Sequence, residues 1–272
     1  MSKRALMIGA IGVLALLLIV QVSISIRDYW KAEDALYEGL RRYDPEWVVV
    51  PPRLVGEPLG TTDREIPFEP YGSDYSYGKP IVDVIPTGTI YYEIEGYSSK
   101  TYVAVPYGSN YFLYAHSPRK KLHFSQGEGD AALVAQFAGT PEQAYLETFK
   151  YISAYKADFL VLDVTRVSLD DPSDLIALIG QYCDERGSTL IVTSFQTIKG
   201  KGYLELDWDS QYVWDFTNGL FIDLEECAID GDRATVEAGV VAAALAGQGR
   251  SCYLEKEDGA WVLVDSMMSW IS

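Results

Sequence analysis

Residues 158–164, DFLVLDV, and residues 189–195, TLIVTSF, decide the fold of the second half of the chain. Both are short and largely apolar runs, which is typical of strands buried on both faces. The segment between them, residues 170–187, predicts a helix, because Pro172 fits a first turn, acids stand at the N-terminal end and Gly187 is a C-terminal stop. Together the three segments predict a strand–helix–strand unit with a right-handed crossover.

A second helix is predicted just before this unit, in residues 140–156, TPEQAYLETFKYISAYK. Thr140 is an N-cap residue, and Pro141 suits the first helical position. Gln143 is the partner that a capping box requires three residues after the cap. The apolar residues that follow supply a face for packing.

The last 60 or so residues are typical of an antiparallel meander. The dipeptides Asn218-Gly219, Asp230-Gly231 and Asp258-Gly259 favour tight hairpins, because both residue types tolerate positive φ. Small residues alternate from Ala234 to Val240, which indicates a sheet face on which a helix packs. Residues 125–272 are therefore predicted to form an α+β domain with the meander packed on the preceding helices.

The end of this domain resembles the NTF2-like superfamily of cone-shaped α+β domains. The resemblance covers residues 140–272 and depends on helices followed by long strands that end in LEKEDGAWVLV, with its acid-Gly-x-Trp hairpin. The strand–helix–strand unit departs from that fold. The resemblance implies a pocket that is catalytic, ligand-binding or structural. Enzymes of the superfamily commonly use acids and histidines in the cone, whereas His116 and His123 both precede the domain here.

Residues 47–124 predict a Tyr-rich β module that begins with a Pro- and Gly-rich connector. Between residues 81 and 116 four runs of β-branched and aromatic residues are divided by Pro, Gly, Ser and Asn, as a small antiparallel sheet requires. One interpretation is an aromatic binding face for a saccharide or peptide, formed by Tyr91, Tyr97, Tyr102 and Tyr111. The alternative, which the residue type favours, is that tyrosine suits half-buried strands.

Residues 5–26 predict a membrane-spanning helix. The run from Ala5 through Leu16 to Ile26 carries no charge, and 22 residues that rise about 1.5 Å each span the roughly 30 Å hydrocarbon core. The alternative is a signal peptide cut after Ser25, although the apolar region of a signal peptide is usually shorter. The length favours an anchor that stays in the lipid bilayer.

The charges that flank this segment predict its orientation. Two basic residues precede it, so the N-terminus is expected in the cytoplasm and residues 28–272 outside it. Trp30 suits the outer membrane interface. The predicted division is an anchor (1–27), a helical stalk (28–46), the Tyr-rich β module (47–124) and the α+β domain (125–272).

Composition limits the partners of the chain. Residues 28–272 hold 19 basic and 39 acidic residues, a net charge of −20, so nucleic acid is excluded as a partner of this region as a whole. Hydrophobic residues make up 48% of the chain, which is typical of a packed globular protein. Three cysteines are too few for a disulfide scaffold, and buried free thiols are expected. The alternative is one bridge between Cys227 and Cys252, which fall on neighbouring predicted strands.

No motif predicts a cofactor or a metal site. The two histidines lie seven residues apart without cysteines nearby, and the chain has no G-x-S-x-G elbow. Paired carboxylates are the one enzymatic option, with Asp163 and Asp174 as candidate catalytic residues where a strand ends and a helix begins. The alternative is that the acids of this segment cap the helix.

The sequence as a whole predicts a non-catalytic binding protein of the cell envelope, anchored in the bilayer and acting outside the cytoplasm. An envelope protein, a peptide or a saccharide is the expected partner. The alternatives are an envelope hydrolase that uses paired carboxylates and a purely structural spacer. A binding module would carry an exposed apolar patch, whereas an enzyme would bring acids together in a cleft.

Overall fold

The described part of the chain consists mainly of strands. The computed structural model describes residues 40, 43–68, 83–116, 122, 124–155, 157–200, 204–206, 214–216, 218–243 and 246–271. The strands are β1 Asp44–Val49, β2 Val55–Thr61, β3 Ile66–Phe68, β4 Asp83–Ile85, β5 Ile90–Ile94, β6 Tyr102–Tyr107, β7 Asn110–Ala115, β8 Phe159–Asp163, β9 Thr189–Val192, β10 Leu204–Leu206, β11 Trp214–Phe216, β12 Gly219–Asp230, β13 Arg233–Ala243, β14 Ala246–Glu257 and β15 Ala260–Ile271. The helices are α1 Ala131–Gln136, α2 Pro141–Ile152, α3 Ser173–Arg186 and α4 Phe195–Gly200, with one 3-10 turn at Pro52–Leu54.

The predicted strand–helix–strand unit is confirmed. β8 and β9 pair in parallel, α3 connects them, and every residue of both strands is buried. Gly187 ends α3 with a left-handed φ of 69°. Gly180 lets the helix approach the sheet closely, because a Cβ atom there would come within 3.3 Å of Val49 Cγ1.

The predicted helix before this unit is also confirmed, and its capping is more elaborate than a capping box. The Gln143 N–H donates to Thr140 Oγ1 over 3.4 Å. Gln143 Oε1, however, accepts from the Gly139 N–H at 2.7 Å and from the Trp261 N–H at 2.9 Å. The N-terminal end of α2 is thereby tied to the start of β15.

One mixed sheet of 13 strands runs through residues 44–271. Its order is β10-β11-β13-β12-β8-β9-β1-β7-β6-β5-β2, and β14 and β15 extend it from β13. β12, β8 and β9 are parallel, whereas β1 pairs antiparallel with both β9 and β7. β3 and β4 form a separate two-stranded sheet.

The core lies along the middle of this sheet. A cluster of buried apolar side chains comes mainly from β1, β5–β9, β11 and β12 and includes Val48, Ile94, Leu113, Phe159, Val161, Ile191, Phe216 and Phe221. α2 packs against β12, β13 and β15. The four alternating residues predicted to face a helix, Ala234, Val236, Ala238 and Val240, are all buried.

The C-terminal meander is confirmed, with two differences in its turns. Asp258 and Gly259 both have positive φ and join β14 to β15 as predicted. In the β12–β13 hairpin Asp230 pairs with Arg233, so the central residues are Gly231 and the aspartate after it, and Gly231 is the one with positive φ. Asn218 precedes β12 outside any hairpin, because β11 pairs with β13.

The predicted fold class, an α+β domain behind a transmembrane helix and a separate β module, is wrong. The sheet crosses the predicted boundary near residue 125, and Tyr43–Ser272 form one compact unit. The physical reason is β1, which lies at the end of the predicted stalk and in the predicted connector. Its apolar run Val48-Val49 places it between β9 and β7, and it joins the two groups of strands.

The transmembrane part of the predicted fold finds no support in the structure. Across the described residues, every helix is too short or too polar to cross a bilayer. The predicted anchor, with Ala5, Leu16, Ile26 and the interfacial Trp30, lies outside those residues.

Candidate functional site

Three of the four candidate tyrosines pack in the core of the sheet. Tyr102 is buried, and Tyr97 contacts it edge-to-face at a ring distance of 6.2 Å. Tyr111 packs against the same core cluster and lies 5.8 Å from the Tyr92 ring. The fourth, Tyr91, is half-buried and lies beside β2. These positions agree with tyrosine as a half-buried strand residue.

The two candidate catalytic aspartates have separate surroundings. Asp163 is buried, and its Oδ1 accepts from the Thr165 N–H at 2.9 Å and from Thr165 Oγ1 at 2.6 Å. Asp174 is exposed in the first turn of α3 and accepts from Ser109 Oγ at 2.9 Å. Asp174 lines the cavity described below, and Asp163 does not.

Asp163 instead belongs to an acidic group at the end of two parallel strands. Asp223 lies opposite it in the β8–β12 register. Arg166 forms ion pairs with Asp223 and, at 2.9 Å, with Glu225. A guanidinium that neutralises neighbouring carboxylates at a strand end stabilises the local fold, and this is the role the geometry gives to Arg166.

The described residues enclose a cavity of about 490 Å³. It lies between α1, α3, the turn that joins β6 to β7, and the chain that follows β1. Its apolar walls include Val49, Tyr111, Leu133, Phe137, Ala177 and Leu190. Its polar side chains include Arg53, Glu128, Asp130, Asp174, Gln181 and Asp184.

An ion pair holds one wall of the cavity together. Arg53 Nε donates to Asp184 Oδ2 at 2.9 Å, and its Nη2 donates to Asp184 Oδ1 at 2.8 Å, which is the strong bidentate geometry. Arg53 also donates to the Ser125 carbonyl. The hydrogen bond from Arg53 to Asp184 raises the pKa of the guanidinium further above its ordinary value.

The segment that follows Ser125 passes very close to this ion pair. A Cβ atom on Gly127 would overlap the Arg53 side chain, and one on Gly129 would overlap the Glu185 side chain. Glycine at both positions therefore lets the chain approach α3 and bring α1 over the cavity.

Gln181 of α3, which contacts the start of α1, carries an unpaired acceptor. Asp130 caps α1 by accepting from the Ala132 N–H at 2.9 Å. Gln181 Nε2 donates to the Asp130 carbonyl and to Glu185 Oε1, both at 3.0 Å. The other amide atom of this side chain, Gln181 Oε1, is buried and has no hydrogen-bond partner among the described residues.

Sequence reasoning found Asp174 and Tyr111 of this cavity and missed most of the remainder. Residues 125–130, SQGEGD, open the predicted α+β domain with polar residues and glycines, and Arg53 lies in the predicted Pro- and Gly-rich connector. The paired glycines of SQGEGD were the available signal, since glycine often marks close backbone approach. The group that the Gly127 backbone approaches is Arg53, about 70 positions earlier in the chain. Local sequence patterns do not reveal a contact over that separation.

A second candidate site is the edge strand β15. It pairs with β14 and with no other described strand over its 12 residues. Six of its large apolar side chains are exposed: Val262, Val264, Met267, Met268, Trp270 and Ile271. Asp265 is its only charged residue. Such an edge offers unpaired N–H and C=O groups flanked by apolar side chains.

The end of β15 borders an open apolar pocket. The pocket has a volume of about 310 Å³ and is lined by Ile152, Tyr155, Leu220, Val240 and Ile271, among others. On the sheet, the indole of Trp270 lies against Gly249, where any side chain would collide with it. Because β14 has a glycine at position 249, the Trp270 indole can lie against the surface of the sheet.

Comparison of the chain with protein-family models, with curated proteins and with solved structures found no match. The NTF2-like resemblance of residues 140–272 stays a prediction.

Proposed function

We propose that the chain is a non-catalytic binding protein that takes an extended segment of a partner protein onto the edge strand β15. The observation that carries this proposal is the 12-residue edge of β15, which no described strand pairs on its outer side and which has six exposed large apolar side chains. Soluble proteins normally protect such an edge, because it recruits other strands. If a partner strand covers β15 when the protein acts, the edge is no longer free to recruit other strands, and it needs no protection of its own.

A polypeptide fits this surface better than a saccharide does. An added strand satisfies the free main-chain groups of β15, and alternate side chains of the partner select the sequence. The apolar pocket beside Ile271 and Tyr155 provides a place for one large apolar side chain of the partner. A saccharide would leave the apolar side chains without comparable contacts.

The charge of the chain favours a different protein over a second copy. Each copy carries a formal net charge of −17, so two copies repel each other, most strongly at low salt. The strand itself contributes only the charge of Asp265. The partner segment is therefore apolar and neutral or basic. The location of residues 28–272 outside the cytoplasm stays a prediction, made from residues 1–27.

Photo-crosslinking in the source cells tests this proposal. Benzoylphenylalanine replaces Met267, which is 58% exposed on β15, or Leu59, which is 40% exposed on the opposite edge strand β2. The expected result is one discrete adduct with another protein from position 267 and none from position 59. Equal labelling from both positions, no adduct, or an adduct of twice the chain mass contradicts the proposal.

A further inference from the structure

The cavity between α1 and α3 has the size and the walls of a small-molecule site. Its volume of about 490 Å³ lies within the range of known ligand pockets, roughly 300–1,000 Å³. Leu133 and Phe137 come from α1, whereas Ala177 comes from α3 and Leu190 from β9. These side chains come from separate elements and form one apolar surface.

The charges at this cavity are predominantly negative. Glu128, Asp130, Asp174 and Asp184 supply four carboxylates against the single guanidinium of Arg53. Arg53 is already paired with Asp184 in bidentate geometry. The net charge of the described side chains that line the cavity is therefore −3, and among them an anionic ligand would meet repulsion without a free cation to bind it.

The hydrogen-bonding groups of the cavity lead to the same conclusion. Asn110 Nδ2 donates to the Ser173 carbonyl at 2.8 Å, and both contacts of Gln181 Nε2 are to protein oxygens. These two amide donors are thus engaged within the protein. Gln181 Oε1 is a buried acceptor with no partner among the described residues, and Asp174 adds an exposed carboxylate. A complementary ligand supplies donors and positive charge.

We propose that this cavity binds a small organic cation, with an ammonium group facing the carboxylates and an apolar body, such as an aromatic ring, between α1 and α3. The carboxylates set the charge of the ligand and the apolar walls set its shape. Multivalent metal ions are not implied, since no group of three or more His, Cys, Asp or Glu in the described residues is arranged to hold one. The site is separate from β15 and does not depend on a partner there.

A titration followed by saturation-transfer NMR tests this inference on the full-length chain. The probe is 2-phenylethylamine, and the matched probes are 2-phenylethanol and 3-phenylpropionate, which keep the ring and remove or reverse the charge. The amine is expected to bind and to weaken as salt is raised, because an exposed carboxylate is screened. The alcohol is expected to bind more weakly and the carboxylate not at all.

Two variants locate the binding. Asp174→Asn keeps the acceptor for Ser109 and removes one charge, so the amine is expected to bind about fivefold more weakly. Asp170→Asn is the matched control, because Asp170 is exposed on the same segment but does not line the cavity. Ala177→Phe fills the cavity and is expected to abolish binding. If this variant does not fold, Leu133→Arg on the half-exposed face of α1 places a cation at the site instead.

The outcomes separate clearly. Binding of the amine that is lost in Ala177→Phe or Leu133→Arg and weakened in Asp174→Asn supports the assignment. Equal binding of amine and alcohol, preference for the carboxylate, equal effects of the two Asp variants, or no binding of any probe overturns it. Crosslinking from Met267 is unaffected in each case, so failure here is distinct from failure of the proposed function.

Discussion

The two edges formed by β2 and β15 belong to one sheet and are built in opposite ways. β2 has seven residues, VGEPLGT, with Pro58 in its centre, Glu57 beside it and two shifts of register against β5. β15 has 12 residues with no proline and a row of exposed apolar side chains. Proline, charge and bulges are among the usual means of protecting an edge; β2 combines these three and is also the shorter of the two strands.

The contrast shows that the open edge is not a general weakness of this sheet. β15 also has two shifts of register, at Val264 and Ser269, so its pairing with β14 is locally bent. It nevertheless has buried attachments at its start. Trp261 is buried, and its main-chain N–H donates to Gln143 Oε1 of α2. The strand is thus firmly attached along one side and open along the other, as a docking strand requires.

The largest expected effect comes from the attachment of β15. Trp261→Ala removes a buried indole, so the free energy of unfolding should fall by ~3–5 kcal/mol. Trp270→Ala on the same strand is the control: its side chain is partly exposed, and the loss should stay below ~1 kcal/mol. Urea unfolding of the full-length chain measures both. Equal losses would show that the two ends of β15 are held alike.

A somewhat smaller effect is expected at Gln143. Its Oε1 accepts from two main-chain N–H groups, so Gln143→Ala leaves both without a partner and should cost ~2–3 kcal/mol. Gln143→Glu keeps the acceptor and should cost less. If alanine and glutamate destabilise equally, the link between α2 and β15 is not what holds the strand.

Cys252 reports whether β15 separates from β14 in the same variant. The thiol is buried on β14 opposite Ser266, and burial raises its pKa to about 11. An unfolded thiol ionises near pH 8.5, so this group favours the folded state at low pH, and its contribution is lost as pH rises through about 11. Maleimide labelling should therefore be slow at pH 8 and should accelerate in Gln143→Ala. Unchanged labelling would mean that the strand stays paired.

The Arg53–Asp184 ion pair holds the chain just before the protected edge β2. Arg53→Ala should cost ~1 kcal/mol, since the guanidinium is one-third exposed and solvent weakens the pair. Arg53→Lys keeps the charge but loses the bidentate geometry, and part of the loss should remain. A double-mutant cycle with Asp184→Ala measures the coupling by urea unfolding. A coupling of zero would leave the pair without a role in stability.

Local patterns in the sequence predicted the elements of the fold well and their assembly poorly. The α3 crossover, the capped α2 and the Asp258-Gly259 hairpin depend on neighbouring residues and are all present. The position of β1 depends on pairing with strands about 65 and 140 residues away. Nothing in a short apolar run indicates such partners, so the sequence led to two modules where one sheet exists.

The cavity was less accessible to sequence reasoning than the fold. Asp174 was singled out because acids gather where a strand ends and a helix begins, and it does line the cavity. Gln181 and Asp184 lie one turn apart on α3, whereas Arg53 comes from the chain that follows β1, and its proximity to them is a result of tertiary packing. Asp184 in particular resembles any polar residue on an amphipathic helix until Arg53 is placed beside it.

The last prediction adds a protective charge to β15 and removes the protective proline from β2. It has the smallest expected effect on stability, and it tests the contrast between the two edges most directly. Met267→Lys places a charge on the exposed edge of β15 and should change the free energy of unfolding by less than ~0.5 kcal/mol, because the side chain lies in solvent. It should nevertheless abolish crosslinking from a benzoylphenylalanine at Val264, since a lysine on an edge discourages strand addition. Pro58→Thr is the reciprocal change on β2: it restores an N–H to an exposed position and should increase self-association in sedimentation velocity. If Met267→Lys leaves crosslinking intact while Pro58→Thr has no effect on sedimentation, edge chemistry does not distinguish the two strands, and the apolar side chains of β15 act by surface contact alone.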